Sequence, residues 1–151
     1  MGGRYFEELN VGDRFVTMAR TITETDIVNF VALAGFYEEL FMNMEYVKNE
    51  SVFQKRIAPG ALVYSIAEGL LVALGLFHAT GIAFLGLKEM KMMSPVACND
   101  TIRVEIEVIE KSMTKKPDRG VITSKHEVKN QKDAVVMVFW VTRMVRRKKV
   151  G

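Results

Sequence analysis

Three glutamates are the residues of this chain best suited to moving a proton. Glu38 and Glu39 are adjacent in a segment rich in aromatic and apolar residues, and Glu68 lies within a long apolar stretch. A carboxylate shielded from water by apolar neighbours binds a proton more readily, so each of the three could act as a general base. The alternatives are a solvated surface pair for Glu38 and Glu39, and a polar contact at a subunit interface for Glu68.

A different chemistry is available at Gly60, which follows Pro59 at the predicted start of a long helix. Proline is tolerated there because its missing N–H would have no partner anyway. The unpaired amides and the dipole of a helix start stabilise a developing negative charge, and a glycine without a Cβ lets a ligand approach closely. The alternative is that the glycine only permits tight packing. Tyr64, one turn before Glu68, could give that carboxylate a hydrogen-bond partner.

The chain contains one cysteine, Cys98, and two histidines, His78 and His126. These residues lack the spacing of a metal site, and we expect neither a metal ion nor a cofactor. A single cysteine cannot form an internal disulfide, and the first ten residues lack the apolar core of a signal peptide. Both features favour a cytoplasmic location.

The charge distribution argues against two other classes of partner. The net charge is +3, with much of the excess in Arg143 and a basic tail over 146–151 that we expect to be solvated. No aromatic residues interleave with these charges, so we expect no nucleic-acid binding. Residues 57–87 contain no Lys or Arg, but Glu68 and five glycines interrupt them. We therefore expect a helix buried in protein and no contact with a membrane.

Hydrophobic periodicity gives the order of the secondary-structure elements. It predicts a strand over 14–21, a helix capped by Thr23 and ended by Gly35, and a short helix from Asn43. A helix that is apolar on nearly every face follows from Pro59 to Phe77. The four predicted strands after it cover 82–93, 101–111, 120–129 and 134–145, with a hairpin turn at 130–133.

This order predicts an α+β fold in a single domain spanning 1–151. Consecutive antiparallel strands after one apolar helix are typical of a sheet that wraps around the helix. Such a sheet leaves an edge strand exposed, and exposed edges are commonly protected by pairing with another chain. We therefore expect at least a dimer in which the sheet continues from one subunit to the next.

Motifs spread over residues 3 to 145 resemble the MaoC-like dehydratases, the (R)-specific enoyl-CoA hydratase family. Residues 3–13 are similar to the opening of that family, and residues 21–35 to its first helix. Arg56-Ile57-Ala58-Pro59-Gly60 matches the lead into its central helix. The remaining matching segments are 82–87, Ser94-Pro95-Val96, 115–123 and 128–131.

The resemblance implies a hot-dog fold, in which an antiparallel sheet wraps a central helix and two or more subunits assemble. It also implies binding of acyl groups carried as thioesters by coenzyme A or acyl-carrier protein. The family's reaction is reversible hydration of a trans-2-enoyl thioester to an (R)-3-hydroxyacyl thioester. An Asp and a His manage water and protons, and a backbone amide at the helix start polarises the thioester carbonyl. The resemblance gives that last role to Gly60.

The Asp/His pair is missing from the variable segment 35–58. The family pattern Gly-Asp-x-Asn-Pro-x-His, carried over from Gly35, places Phe36 at the Asp and Phe41 at the His. Neither phenylalanine can hold a proton or orient water, and losing a positioned acid or base typically lowers a rate by about 10²–10⁴. The residues that we expect to line the substrate pocket are Phe36, Phe41, Pro59 and Tyr64.

Three functions remain open at this point. In the first, the chain is a catalytically impaired or non-catalytic MaoC-like subunit that holds an acyl thioester, as a homo-oligomer or with a catalytic MaoC-like chain. In the second, it is an active hydratase or dehydratase with an altered set of residues. In the third, it is an acyl-CoA thioesterase that uses Glu38, Glu39 or Glu68 as base. The missing pair favours the first.

Overall fold

A computed structural model describes residues 2–149. A short 3₁₀ helix at Phe6–Glu8 precedes two short strands, β1 (Arg14–Val16) and β2 (Arg20–Thr21). Four helices follow: α1 (Glu24–Ala34), α2 (Glu39–Met42), α3 (Met44–Asn49) and α4 (Gly60–Leu74). The chain then forms β3 (Gly81–Met92), β4 (Thr101–Met113), β5 (Arg119–Lys129) and β6 (Val135–Arg146).

Helix α1 begins and ends where its sequence predicts. The Thr23 hydroxyl accepts a hydrogen bond from the Asp26 amide at 3.1 Å, and the Asp26 carboxylate accepts one from the Thr23 amide at 2.8 Å. This reciprocal capping box pairs two donors that a helix start leaves free. Gly35 ends the helix with φ of 70°, a left-handed conformation that glycine adopts without a steric penalty.

The other helices follow the prediction less closely. Helix α3 starts as expected, because the Asn43 side chain accepts from the Glu45 and Tyr46 amides at 3.1 Å each. Helix α4 starts at Gly60 as predicted but ends at Leu74 rather than at Phe77, since Gly75 takes a left-handed conformation with φ of 75°. Helix α2 was not predicted, because a single turn is too short to show a helical period.

The strands form one antiparallel sheet in the order β1-β4-β5-β6-β3, with β2 also paired to β4. The strand predicted over 14–21 is divided in two. The Val104 amide of β4 donates to the Thr17 hydroxyl at 2.9 Å, so a side chain interrupts the backbone ladder between β1 and β2. Within the described residues, strand β3 pairs with β6 alone and forms one edge of the sheet.

The inner face of the sheet packs against α4. Alternate residues of β4 are buried, as its period-2 pattern predicts, and they join one apolar cluster with the buried residues of α4. The predicted α+β fold is therefore confirmed. Among residues 2–149, no helix has the length and hydropathy needed to cross a membrane.

Part of the basic tail is ion-paired. The Arg147 guanidinium lies 2.7 Å from the Glu7 carboxylate, and the Lys148 amine lies 2.7 Å from the Glu8 carboxylate. These contacts hold the end of β6 against the 3₁₀ helix at Phe6–Glu8. The last two residues of the expected tail, 150 and 151, lie outside the described residues.

Candidate functional site

The start of α4 presents two backbone amides without an acceptor. The amides of Leu62 and Val63 both donate to the Pro59 carbonyl, at 3.0 and 3.1 Å. The amides of Gly60 and Ala61 donate to no acceptor within residues 2–149. Free amides aligned with the helix dipole favour an oxygen that carries negative charge. This is the position expected for a polarised thioester carbonyl.

The contacts around Gly60 show whether packing within the chain requires a glycine at this position. A Cβ added at Gly60 would lie 3.5 Å from the Met92 sulfur, an ordinary van der Waals distance. At Gly120, by contrast, a Cβ would lie 2.4 Å from the Phe6 ring. Packing within the single chain therefore requires glycine at position 120 but not at position 60. Close approach of a ligand or of another subunit remains as a reason for Gly60.

A cavity of about 370 Å³ opens toward the other end of α4. Its lining includes Glu68, Leu71 and Val72 of α4, Phe77 of the following turn, Phe84 of β3 and Arg143 of β6. The last two residues are register partners in the sheet. The cavity thus lies where the second half of α4 faces the beginning of the edge strand.

Glu68 forms an ion pair with Arg143, whose Nη2 donates to Glu68 Oε2. The guanidinium lies 5.6 Å from the centre of the Phe77 ring and 5.7 Å from that of Phe84. Glu68 Oε1 and Arg143 Nη1 are buried and have no hydrogen-bond partner within residues 2–149. Tyr64, the partner that the sequence suggested for Glu68, forms no hydrogen bond with it. Burial, and after it the Glu68 carboxylate, raises the pKa of Tyr64.

A buried histidine of the sheet lies close enough to Arg143 to be affected by its charge. His126 is fully buried on β5, its ring is stacked on Phe139 of β6, and its Nε2 is hydrogen-bonded to Ser124 Oγ at 2.9 Å. Burial, and secondarily the positive charge of Arg143, lowers the pKa of His126 from 6.5 to about 3. The imidazole is therefore neutral at physiological pH and is enclosed in the core, away from solvent.

The two phenylalanines of the variable segment lie together. The ring of Phe36 is 5.3 Å from that of Phe30 and 6.2 Å from that of Phe41, measured between centroids. Both are partly buried against the core. Phe41 and Arg56 line a shallow groove of about 200 Å³. Arg56 is four residues before Gly60 in the chain. The aromatic cluster thus borders the lead into α4.

Two of the three candidate bases are solvated. Glu38 and Glu39 are both exposed, and the Glu39 carboxylate accepts a hydrogen bond from the Asn43 side chain at 2.5 Å. Of the three glutamates, only Glu68 is shielded from water, with 21% of its side chain exposed.

Comparison with known proteins assigns the chain to a family. Residues 8–130 match the family model described as MaoC like domain. The chain belongs to the MaoC-like family. This MaoC-like chain is 38% identical over 104 residues to Protein MaoC of Klebsiella aerogenes. The match covers 68% of the chain and 30% of that relative, so the chain spans less than a third of the relative's length.

Solved structures extend the likeness to the whole fold. The monoamine oxidase regulatory protein of Archaeoglobus fulgidus is 35% identical, with a TM-score of 0.90 and coverage of 99% of this chain and 98% of that one. The R-hydratase PhaJ1 of Pseudomonas aeruginosa is 26% identical, with a TM-score of 0.79 and coverage of 97% and 88%. A Mycobacterium tuberculosis protein with a double hot-dog fold, 20% identical, has a TM-score of 0.87 and coverage of 99% and 47%. The hot-dog fold expected of this MaoC-like chain is confirmed.

The buried position of Arg143 is not predicted from the sequence. Arg143 was grouped with the C-terminal charges, but the structure places it inside, paired with Glu68. The period of β6 contains the information, since Phe139, Val141 and Val145 are buried and Arg143 shares their face of the strand. An arginine at an inward position of a strand needs a buried partner.

Proposed function

We propose that this chain binds acyl thioesters, carried by coenzyme A or acyl-carrier protein, with the thioester carbonyl at the start of α4. The observation that carries the proposal is the pair of free amides at Gly60 and Ala61. Two N–H groups at a helix start are suited to a carbonyl oxygen that becomes more negative when the thioester is polarised. Membership of the MaoC-like family, whose reaction is on acyl thioesters, supports the same ligand class.

We further propose that the chain is impaired in hydrating enoyl thioesters. Phe36 and Phe41 occupy the positions at which the family pattern has its Asp and His. The chain's two histidines do not replace the missing one, because His126 is enclosed in the core and His78 follows α4, at the end of the helix remote from Gly60. Binding without efficient hydration is the function that these residues favour.

We also propose that the chain assembles with another chain through β3. One edge of this twelve-residue strand has no partner within residues 2–149. Its exposed apolar side chains are Ile82, Phe84, Leu85, Leu87, Met90 and Met92. A long apolar edge is a template for pairing with another strand. A second copy of the chain, or a catalytic MaoC-like chain, would cover the edge of β3. Either partner would join its own sheet to this one.

Calorimetric titration with decanoyl-CoA and with free coenzyme A tests the binding proposal. Decanoyl-CoA is expected to bind tighter than coenzyme A, because only the thioester supplies a carbonyl and an acyl chain. Equal affinity for the two ligands would refute the proposal. Incubation with crotonyl-CoA tests the second part: loss of the enoyl absorbance at a rate well above buffer would identify an active hydratase instead.

A free-thiol assay over several acyl-CoAs covers the thioesterase alternative. Release of coenzyme A that disappears in Glu68→Gln would assign a base to this shielded glutamate. Release in the wild type that persists in Glu68→Gln but is lost in Glu38→Gln/Glu39→Gln would move the role to the exposed pair. No release from any acyl-CoA is the result expected of a binding subunit.

A further inference from the structure

A further cavity, of about 650 Å³, lies where β5 begins and β6 ends. Its lining includes one acidic residue and five basic ones: Asp118, Arg119, Arg146, Arg147, Lys148 and Lys149. These six side chains carry a charge of +4, whereas the whole chain carries +3. The positive charge of the chain is therefore concentrated here, and we call this cavity the basic cleft.

The backbone that carries the basic residues is fixed by hydrogen bonds. The amides of Arg146, Arg147 and Lys148 all donate to acceptors elsewhere in the chain, at 2.8, 2.9 and 3.0 Å. The Arg147 side chain also donates to the Pro117 carbonyl at 3.1 Å. A ligand would therefore not have to order the backbone of these three residues, and this lowers the entropic cost of binding.

Two arginines of the basic cleft lie directly opposite each other in the sheet. Arg119 on β5 and Arg146 on β6 are register partners, an arrangement in which like charges are destabilising. The Arg119 guanidinium donates two hydrogen bonds to the Asp118 carboxylate, at 2.7 and 2.8 Å. Arg146 is exposed and has no ion-pair partner within residues 2–149. Proteins commonly retain such unfavourable pairs at functional sites, and an anion between the two side chains would offset the repulsion.

The charges left unpaired indicate the charge of that anion. Three of the five basic side chains are ion-paired with nearby carboxylates. The other two, Arg146 and Lys149, leave an excess of two positive charges within the described residues. A phosphate monoester carries a charge of about −1.5 to −2 at pH 7, and arginine can bind it through two parallel hydrogen bonds. A single carboxylate would neutralise only one of the two cations.

The basic cleft also has an apolar part. Tyr5 and Ile82 line it and are 37% and 38% exposed. Its volume is within the range of small-molecule sites and leaves room for more than a phosphate group. An aromatic ring beside a group of cations suits a nucleotide, because the base can stack on the ring while the phosphate meets the charges.

We propose that the basic cleft binds a nucleotide that carries a phosphate monoester, with the phosphate at Arg146 and Lys149 and the base against Tyr5. Ile82 of the cleft lies at the beginning of β3, whereas Met92, next to Gly60, ends that strand. The basic cleft is thus separate from the helix start at Gly60, and the inference does not depend on thioester binding.

Calorimetric titration of the whole chain at one ionic strength compares adenosine monophosphate (AMP), inorganic phosphate and adenosine. AMP is expected to bind at least about tenfold tighter than either of the others, because only AMP fills both parts of the basic cleft. Equal affinities for AMP and inorganic phosphate would show a basic surface without a place for the base. Equal affinities for AMP and adenosine would show that the phosphate is not bound. Either result, or no binding of AMP, would overturn the inference.

Arg146→Gln and Lys132→Gln form a matched pair of variants. Each removes one positive charge from an exposed side chain, but Lys132 lies in the hairpin between β5 and β6, at the opposite ends of these strands. Arg146→Gln is expected to weaken AMP binding at least about tenfold. It should unfold no more easily than the wild type, because it relieves the like-charge pair with Arg119.

Lys132→Gln should keep the wild-type affinity for AMP. Equal losses of affinity in the two variants would mean that net charge alone attracts AMP, and they would overturn the inference. Wild-type affinity in Arg146→Gln would overturn it as well.

Discussion

The imidazole of His126 is stacked on the ring of Phe139, with the centroids 4.7 Å apart and the planes inclined by 24°. The two residues are register partners on β5 and β6, and both face the core. Nδ1 of His126 has no hydrogen-bond partner within residues 2–149, so nothing there stabilises a second proton on the ring. The arrangement fixes the histidine in its neutral form.

The folded chain is therefore expected to lose stability as the pH is lowered, because of His126. Its pKa is about 3 in the folded chain and near 6.5 in the unfolded chain, so between these values the unfolded state binds the extra proton. The free energy of unfolding should decrease by up to about 1.4 kcal/mol per pH unit below pH 6 from this group. Urea unfolding at pH 7 and pH 5 measures the slope.

The variant His126→Gln isolates that contribution. It removes the titrating group but keeps a neutral polar side chain, so its stability should change less between pH 7 and pH 5 than that of the wild type, whatever its stability at pH 7. His78→Gln removes the exposed histidine and serves as the control. Equal slopes for wild type and His126→Gln would show that His126 binds a proton as readily in the folded chain as in the unfolded chain.

Substitution of Gly60 should separate stability from binding. The Cβ of Gly60→Ala would meet only the Met92 side chain, at an ordinary distance. Alanine in place of a helical glycine stabilises by about 0.5–1 kcal/mol where the space allows it, so Gly60→Ala should unfold no more easily than the wild type. Decanoyl-CoA should nevertheless bind several-fold more weakly, because the added methyl group lies where the ligand approaches the free amides.

Gly69→Ala is the matched control for that experiment. Gly69 is an exposed residue of α4 with nothing within 4 Å of an added Cβ. This variant should be at least as stable as the wild type and retain the wild-type affinity. Wild-type affinity in Gly60→Ala would remove the helix start from the binding site.

The sequence predicts this fold well where the deciding interactions are local. Thr23 and Asp26 are three residues apart, so the capping box can be identified without tertiary information, as can the helix end at Gly35. The interior of the candidate site depends on contacts that are distant in the chain. Glu68 and Arg143 are 75 residues apart, and only the packing of α4 against the sheet brings them together.

Restoring the family's residues should restore hydration. The rings of Phe36 and Phe41 are neighbours, so Asp and His at these positions would lie within reach of a shared water. Phe36→Asp/Phe41→His is expected to raise the rate of crotonyl-CoA hydration by on the order of 10² over the wild type, with neither single variant matching it. The absorbance of the enoyl thioester follows the reaction, and circular dichroism verifies the fold.

The exchanged pair Phe36→His/Phe41→Asp has the same composition and is the control. It loses the same aromatic packing but places the acid and the base in the opposite order. Equal activity in the two double variants would mean that the positions do not correspond to the family's catalytic pair.

A charge on the edge strand should weaken assembly. Leu85 is 48% exposed on β3, where a partner strand would cover it. In a symmetric dimer, Leu85→Lys buries one uncompensated charge from each subunit, so the dissociation constant should rise at least about tenfold. Sedimentation velocity over a concentration series measures this constant.

Met113→Lys is the control, because Met113 is 58% exposed at the end of β4. It should leave the dissociation constant unchanged. An undisturbed dimer of Leu85→Lys would place the interface elsewhere.

Loss of the capping box should destabilise the helix that supports the aromatic cluster. Thr23→Ala removes the hydroxyl that accepts from the Asp26 amide, and such losses typically cost about 1 kcal/mol. Thr25→Ala alters an exposed threonine of the same helix whose side chain makes no hydrogen bond within residues 2–149, so it should change the free energy of unfolding by less than about 0.5 kcal/mol. Urea denaturation compares the two.

Because Phe30 of α1 packs on Phe36, Thr23→Ala should also loosen the segment after the helix, seen as faster amide exchange at Phe36. Equal effects of the two substitutions would mean that α1 is held by packing alone.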